Sequence, residues 1–323
     1  MKNHISKVCR NVAFASCLVA GLASNSVANG VESIHFLIPG GAGGGWDGTA
    51  RGVGEALKKS GLVKKTSFEN MSGGGGGKAI AHIIETASKQ KNTVMVNSTP
   101  IVIRSLQGVF PQSFRDLSLV ASVIADYQVL VVRPDSKYKN WDDVLKAFKA
   151  NPRKVKIAGG SSRGSMDHLV AAQIFQAAGG DPKAVRYVPY DAGGKALAGI
   201  LTGEVDVLST GFGEVLEKHK KGQVRIIGVT SKDSIDGIPS FKSMGTDAFF
   251  ANWRGFFGAP NLSKERLAEL NGVLKKMYDT PEWEVVRARN GWTNLYQPTN
   301  DFKTFLEAQE KTIGALMKDL GFL

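Results

Sequence analysis

Four loops in this chain set several backbone N–H groups side by side, and the chemistry they offer is the binding of an anion. Pro39-Gly-Gly-Ala-Gly-Gly-Gly-Trp-Asp-Gly48 holds six glycines between Gly40 and Gly48; the others are Ser72-Gly-Gly-Gly-Gly-Gly-Lys78, Gly159-Gly-Ser-Ser-Arg-Gly-Ser165 and Tyr190-Asp-Ala-Gly-Gly194. Each stands between a β-branched run and a helical pattern, so its N–H groups open a helix, where unbonded donors and the helix dipole favour negative charge. In the first loop the expected site is the backbone of Gly43, Gly44 and Trp46. Asp47 is expected to cap the helix and either to fix the loop or to accept from a ligand hydroxyl. Ser98 and Thr99, which follow a third β-branched run, add two hydroxyls.

Two phosphate-binding readings compete with this one. Gly43, Gly45 and Gly48 fit the spacing of a dinucleotide fingerprint, with Glu69 at the end of the next strand, so an oxidoreductase stands as an alternative. The second loop fails as a phosphate loop, because Ser72 stands at its first glycine and Ala79 at its magnesium-binding hydroxyl. An exported hydrolase is the other alternative, and Ser161, Ser162, Ser165, Asp167 and His168 are its only suggestive grouping. Ser165, however, reads as the cap of a helix whose first turn holds His168, and no Gly-x-Ser-x-Gly precedes it. The sequence contains no metal-ligating motif and implies no cofactor.

The elements that must hold these loops alternate. Strands are expected at 34–38, 66–69 and 93–97, with helices at 47–60 and 78–89 between them. A second series opens at Val129 and runs through a helix at 141–150, a strand at 155–158, a helix at 165–178, a strand at 185–188, a helix at 194–202 and strands at 205–208 and 225–229. Such alternation points to a mainly parallel sheet with helices on both faces and ligands beyond the carboxyl ends of its strands. Helices at 263–279, 281–289 and 300–320 close the chain, with Ser263 and Asn300 as N-caps and Pro281 in a first turn. Asn252 to Gly258 carries the chain back to the first series. Trp253 and Phe256 are expected in the core and Trp46 toward the cleft. Arg163 and Arg254 are candidate partners for an extra carboxylate, and Arg51 is expected on a solvated helix face.

The N-terminus reads as an export signal: Lys2, Lys7 and Arg10 precede an apolar run from Val12 to Leu22, and Ser26-Val27-Ala28 offers a cleavage site. Its removal takes away both cysteines, Cys9 and Cys17, and so excludes thiol nucleophiles, thiolate metal sites and disulfides from the mature protein. The 323 residues carry a formal net charge of +12. Their Lys and Arg are scattered in pairs without a long run, which argues against nucleic acid as a partner.

In the order of its motifs the chain resembles the periplasmic receptors of tripartite tricarboxylate transporters, the TctC or Bug family. The resemblance rests on "IPGGAGGGWDGTAR", "ENMSGGGGG", "VLVVRPDS", "NWDDVLKA", "IAGGSSRGSMDHL", "RYVPYDAGGKALAGILTGEVDVLSTG" and "WRGFFGAP". It implies a type II periplasmic binding fold, an α/β architecture of two lobes with a double crossover and a ligand cleft between them. The signal would be residues 1–28, lobe 1 residues 29–128 plus 254–323, and lobe 2 residues 129–253. A monomeric receptor, not an enzyme, would capture a carboxylate and deliver it to a large and a small membrane subunit. Carried over residue by residue, the grip falls on Gly43, Gly44, Trp46 and Asp47, on Gly74 and Gly75, and on Ser162, Gly164 and Ser165. Tyr190, Gly193 and Gly194 match the loop that follows. Ala42 stands where many members have proline, and an aromatic before Asp47 resembles the citrate-binding branch, which favours a tricarboxylate.

Overall fold

The computed structural model describes residues 31–323, so the expected export signal at 1–28 lies outside the described residues. Strand β1 (Val31–Ile38) leads through the first glycine loop into α1 (Gly45–Lys59), and β2 (Val63–Asn70) through the second into α2 (Gly77–Glu85). Strand β3 (Thr93–Ser98) passes directly into α3 (Thr99–Leu106), and β4 (Ser118–Val132) follows. The second series is α4 (Trp141–Ala150), β5 (Lys156–Gly159), α5 (Met166–Ala177), β6 (Arg186–Pro189), α6 (Gly193–Leu201), β7 (Val207–Gly211), α7 (Phe212–Lys220) and β8 (Arg225–Val229). The chain ends with β9 (Ala251–Gly258), α8 (Lys264–Met277), α9 (Pro281–Asn290), β10 (Thr293–Pro298) and α10 (Thr299–Asp319).

The strands lie in the order β2-β1-β3-β9-β4-β7-β5-β6, with β10 and β8 also paired to β4. Strands β2, β1 and β3 are parallel, as are β7, β5 and β6. Between them β9 runs antiparallel to β3 and β4, and β4 antiparallel to β7. The architecture is that of a type II periplasmic binding protein, and its sheet is mixed, where the alternation of elements had pointed to a mainly parallel one. The reason is β4, a strand of 15 residues that serves both halves: Ser118 to Tyr127 pair with β9, and Gln128 to Val131 with β7. The chain crosses back beside it. Gln128 and Thr230 exchange bonds, the Thr230 N–H donating to the Gln128 carbonyl at 2.9 Å, and the Phe250 N–H donates to the Thr230 carbonyl at 3.1 Å.

Packing explains much of the glycine in α1. Its apolar face, Ala50, Val53, Ala56 and Leu57, is fully buried, and each large side chain taken from water is worth about 1.5–3 kcal/mol. A Cβ on Gly54 would stand 2.6 Å from the Phe68 ring, and one on Gly52 would meet Val286 and Trp292. Trp253 and Phe256 lie in the core, as expected. The caps need two corrections: Gly44, not Asp47, precedes α1, and Pro298, not Asn300, precedes α10, while the Ser263 hydroxyl does accept from Arg266. Gly61 follows α1 in the left-handed conformation that ends helices.

Candidate functional site

The loops leading into α1, α2, α5 and α6 border one cavity of about 360 Å³ between the two sheet halves. Of the residues expected from sequence, Gly44, Trp46, Gly74, Gly75, Ser98, Ser162, Arg163, Ser165, Tyr190 and Gly193 line it. Gly43, Asp47, Thr99, Gly164 and Gly194 do not.

Each exclusion has a physical cause. Asp47 is buried beneath the first loop, where Oδ2 accepts from the Gly43 N–H at 3.0 Å and Oδ1 from Arg51 at 2.8 Å and Asn70 at 3.1 Å. It therefore fixes the loop, and Arg51, on the exposed face of its helix as expected, reaches it over the Phe68 ring. Thr99 donates to Oδ1 of Asn252 at 2.9 Å. Gly164 gives its carbonyl to Gln107 at 3.0 Å and its N–H to Nδ1 of His168 at 3.1 Å. Gly194 packs on the Ala42 carbonyl and Gly43.

The second loop is the most unusual backbone in the site. Gly73, Gly74, Gly75 and Gly76 all have positive φ, from 58° to 143°, a region closed to L side chains in succession, and all four line the cavity. Trp46 stands beside them as a wall, its indole N–H donated to the Ser98 hydroxyl at 2.9 Å.

In the third loop the capping expectation holds in position though not in bonding. Ser165 sits at the N-cap of α5 without a side-chain cap bond, and Ser161 instead accepts from the Asp167 N–H at 3.0 Å. Arg163 donates to the Tyr187 carbonyl at 2.5 Å. His168 is stacked on Tyr187, with its pKa pushed down to about 4 by burial and then by Arg163. A neutral ring whose Nδ1 already accepts from Gly164 is not the partner of a serine nucleophile. The dinucleotide alternative fares no better, because Glu69 faces His35 at 3.4 Å and Gly45 packs on Arg254.

The floor holds two carboxyl groups that the sequence reasoning missed, Asp126 and Glu214, around Arg254. Arg254 is buried, with Nη2 2.9 Å from Oδ2 of Asp126 and 3.8 Å from Oε1 of Glu214, and Nη1 donated to Thr49 at 3.1 Å. It lines the cavity and is already paired with Asp126. A Cβ on Gly45 would stand 2.2 Å from Nη2, so α1 can begin there only with glycine. Burial, with the charges of Asp167 and Asp126 adding and Arg254 opposing, pushes Glu214 up to about 8. Burial likewise pushes Asp167 up to about 6 against the hydrogen bond from Gln128. Glu214 follows β7 in "STGFGE" as its side chain turns back toward the Gly211 N–H, a strand-end pattern that a search for catalytic motifs passes over.

The two halves touch across the cavity. The Ser72 hydroxyl donates to Oδ1 of Asp191, Gln107 to the Gly164 carbonyl, and Arg104 to the Arg163 carbonyl at 3.3 Å. Among the described residues no group of three or more His, Cys, Asp and Glu is arranged to hold a metal ion, and no helix is long and apolar enough to cross a membrane.

Comparison with known proteins gives a consistent picture. Residues 49–322 match the model of the tripartite tricarboxylate transporter family receptor. Protein BugT of Bordetella pertussis is 26% identical over 301 residues, 89% of each chain. The structure of periplasmic binding protein BugD superposes with a TM-score of 0.81 at 18% identity, covering 90% of this chain and 98% of that one. R. palustris Rpa4515, solved with adipate, gives 0.81 at 18% identity over 90% and 97%. At such identities the structural likeness speaks for the fold alone.

Proposed function

The chain belongs to the tripartite tricarboxylate transporter receptor family, and we propose that it captures a small carboxylate in the cavity between its sheet halves and hands it to the membrane subunits of such a transporter. The family consists of periplasmic solute-binding receptors, not enzymes. The observation that carries the reading is that four loops at helix starts border one cavity, each bringing backbone donors and the positive end of a helix dipole. Citrate or another tricarboxylate is the ligand we favour, on the strength of the aromatic Trp46 at the wall beside Asp47. The adipate in R. palustris Rpa4515 supports a carboxylate of some kind.

In this reading residues 1–28 direct export, residues 29–128 with 254–323 form one lobe, and residues 129–253 form the other. A monomer closes over its ligand about the two crossing segments, where Gln128, Thr230 and Phe250 are stitched together. The expected grip is Gly44, Trp46, Gly74, Gly75, Ser98, Ser162, Arg163, Ser165, Tyr190 and Gly193, with Gly43, Asp47, Thr99, Gly164 and Gly194 holding the loops from behind.

Calorimetric titration of the mature chain with citrate, malate, adipate and benzoate tests the proposal. We expect one of them to bind at a single site and to be recovered unchanged. Absence of binding across the panel, or the appearance of product after long incubation, overturns it.

A further inference from the structure

Behind the second glycine loop lies a positive charge that the described residues leave unneutralised. Arg104, on α3, is 6% exposed. Its Nη1 donates to Oε1 of Gln107 at 2.9 Å and to the Arg163 carbonyl at 3.3 Å, both uncharged acceptors, and its Nε has no partner. None of the ion pairs among the described residues includes it. The other buried arginine at the cavity, Arg254, stands 2.9 Å from Asp126, so among the buried arginines of the described residues the lack of a counter-charge is particular to Arg104. A Cβ on Gly75 would lie 3.0 Å from the free Nε, which puts the guanidinium directly against the cavity-lining loop. Burial pushes its pKa down, and the one ionisable group that opposes this is the Tyr187 phenol. A buried cation without an anion is costly unless an anion arrives.

We propose that Arg104 is the counter-charge for a ligand carboxylate held at Gly73 to Gly76, and that it ranks ligands by the charge they place there. The inference rests on the carboxylate reading above. Arg104 is a specificity-determining residue that acts from behind the loop, through its field in a water-poor surrounding. On the opposite wall Asp167 and Glu214 are carboxyl groups, and the one arginine there, Arg163, is exposed and donates to the Tyr187 carbonyl, so the buried positive charge at this end of the cavity is that of Arg104.

The test pairs whichever of citrate, malate and adipate binds wild type most tightly with its monoamide, which keeps the shape and removes one charge. Wild type should prefer the acid. R104M should weaken the acid by about tenfold or more while changing the amide by about threefold or less, and R104K should keep most of the preference. R104Q is a second neutral variant, and either neutral variant that melts cooperatively without ligand decides the matter. Equal weakening of acid and amide, or an acid affinity unchanged in the neutral variant, overturns the inference while leaving the carboxylate reading intact. Failure of wild type to bind any of the acids removes that reading first, and the inference with it.

Discussion

The indole N–H of Trp46 reaches the hydroxyl of Ser98 at 2.9 Å, and that bond ties the start of α1 to the end of β3. The same ring lies where a Cβ on Gly40 or Gly76 would touch it. One side chain therefore braces both glycine loops of the first half, and its only donor is committed to the protein.

Trp46→Phe separates the brace from the wall. Loss of the bond should lower stability by about 1 kcal/mol in urea unfolding, with ligand affinity reduced only a few-fold because an aromatic wall remains. Trp46→Ala removes both and should cost about 2–4 kcal/mol. An unchanged urea midpoint in the phenylalanine variant would show that the bond contributes nothing.

The glycines divide into those that admit a neighbour and those that shape a loop. Gly45→Ala drives a Cβ into the Arg254 guanidinium and disturbs its pair with Asp126, so it should destabilise by about 3–5 kcal/mol. At Gly74 a Cβ would meet nothing within 4 Å, and only the φ of +58° opposes it. Gly74→Ala should therefore cost about 1–2 kcal/mol while weakening ligand binding. Equal stability losses at the two positions would refute the distinction.

The loops are legible in the sequence because a strand, a glycine run and a helix leave their types in order along the chain. The charged floor is not, since Arg254 meets Asp126 and Glu214 only after β9 has returned to pair with β4. Helix α3 escapes notice for a local reason: it has only eight residues, and Ile101, Val102 and Ile103 at its centre are β-branched and carry no helical spacing of polar and apolar positions. The sheet direction is hidden for the same reason as the floor. Nothing local in 118–132 tells that a single strand serves two halves.

Contact across the cleft should appear in affinity and not in folding. Ser72 and Asp191 come from opposite halves and are hydrogen-bonded to each other. Ser72→Ala should leave the melting temperature of the unliganded protein nearly unchanged, yet weaken ligand by about three- to tenfold, because an exposed bond made on closure is worth about 1 kcal/mol. Small-angle scattering should show a more open unliganded variant. A matched loss of melting temperature and no change in affinity would place the bond in the fold instead of in closure.

Glu214 makes stability depend on pH with a sign opposite to that of a paired carboxylate. Its pKa rises from an ordinary 4.5 to about 8, chiefly through burial, so between those values the folded chain keeps a proton that the unfolded chain has lost. That contribution is complete below pH 4.5 and disappears as the pH climbs through about 8. Asp167 acts in the same direction between 3.8 and about 6. His168 acts the other way: held neutral by burial, it contributes above 6.5 and loses that as the pH falls through about 4. Glu214→Gln removes only the first of these. Variant and wild type should show similar stability near pH 4.5, and the variant should gain on the order of 2–4 kcal/mol over wild type by about pH 9. Urea unfolding across that range reads the difference directly. Parallel curves for the two proteins would mean that Glu214 titrates as an ordinary carboxylate, and that Arg254 neutralises it in full.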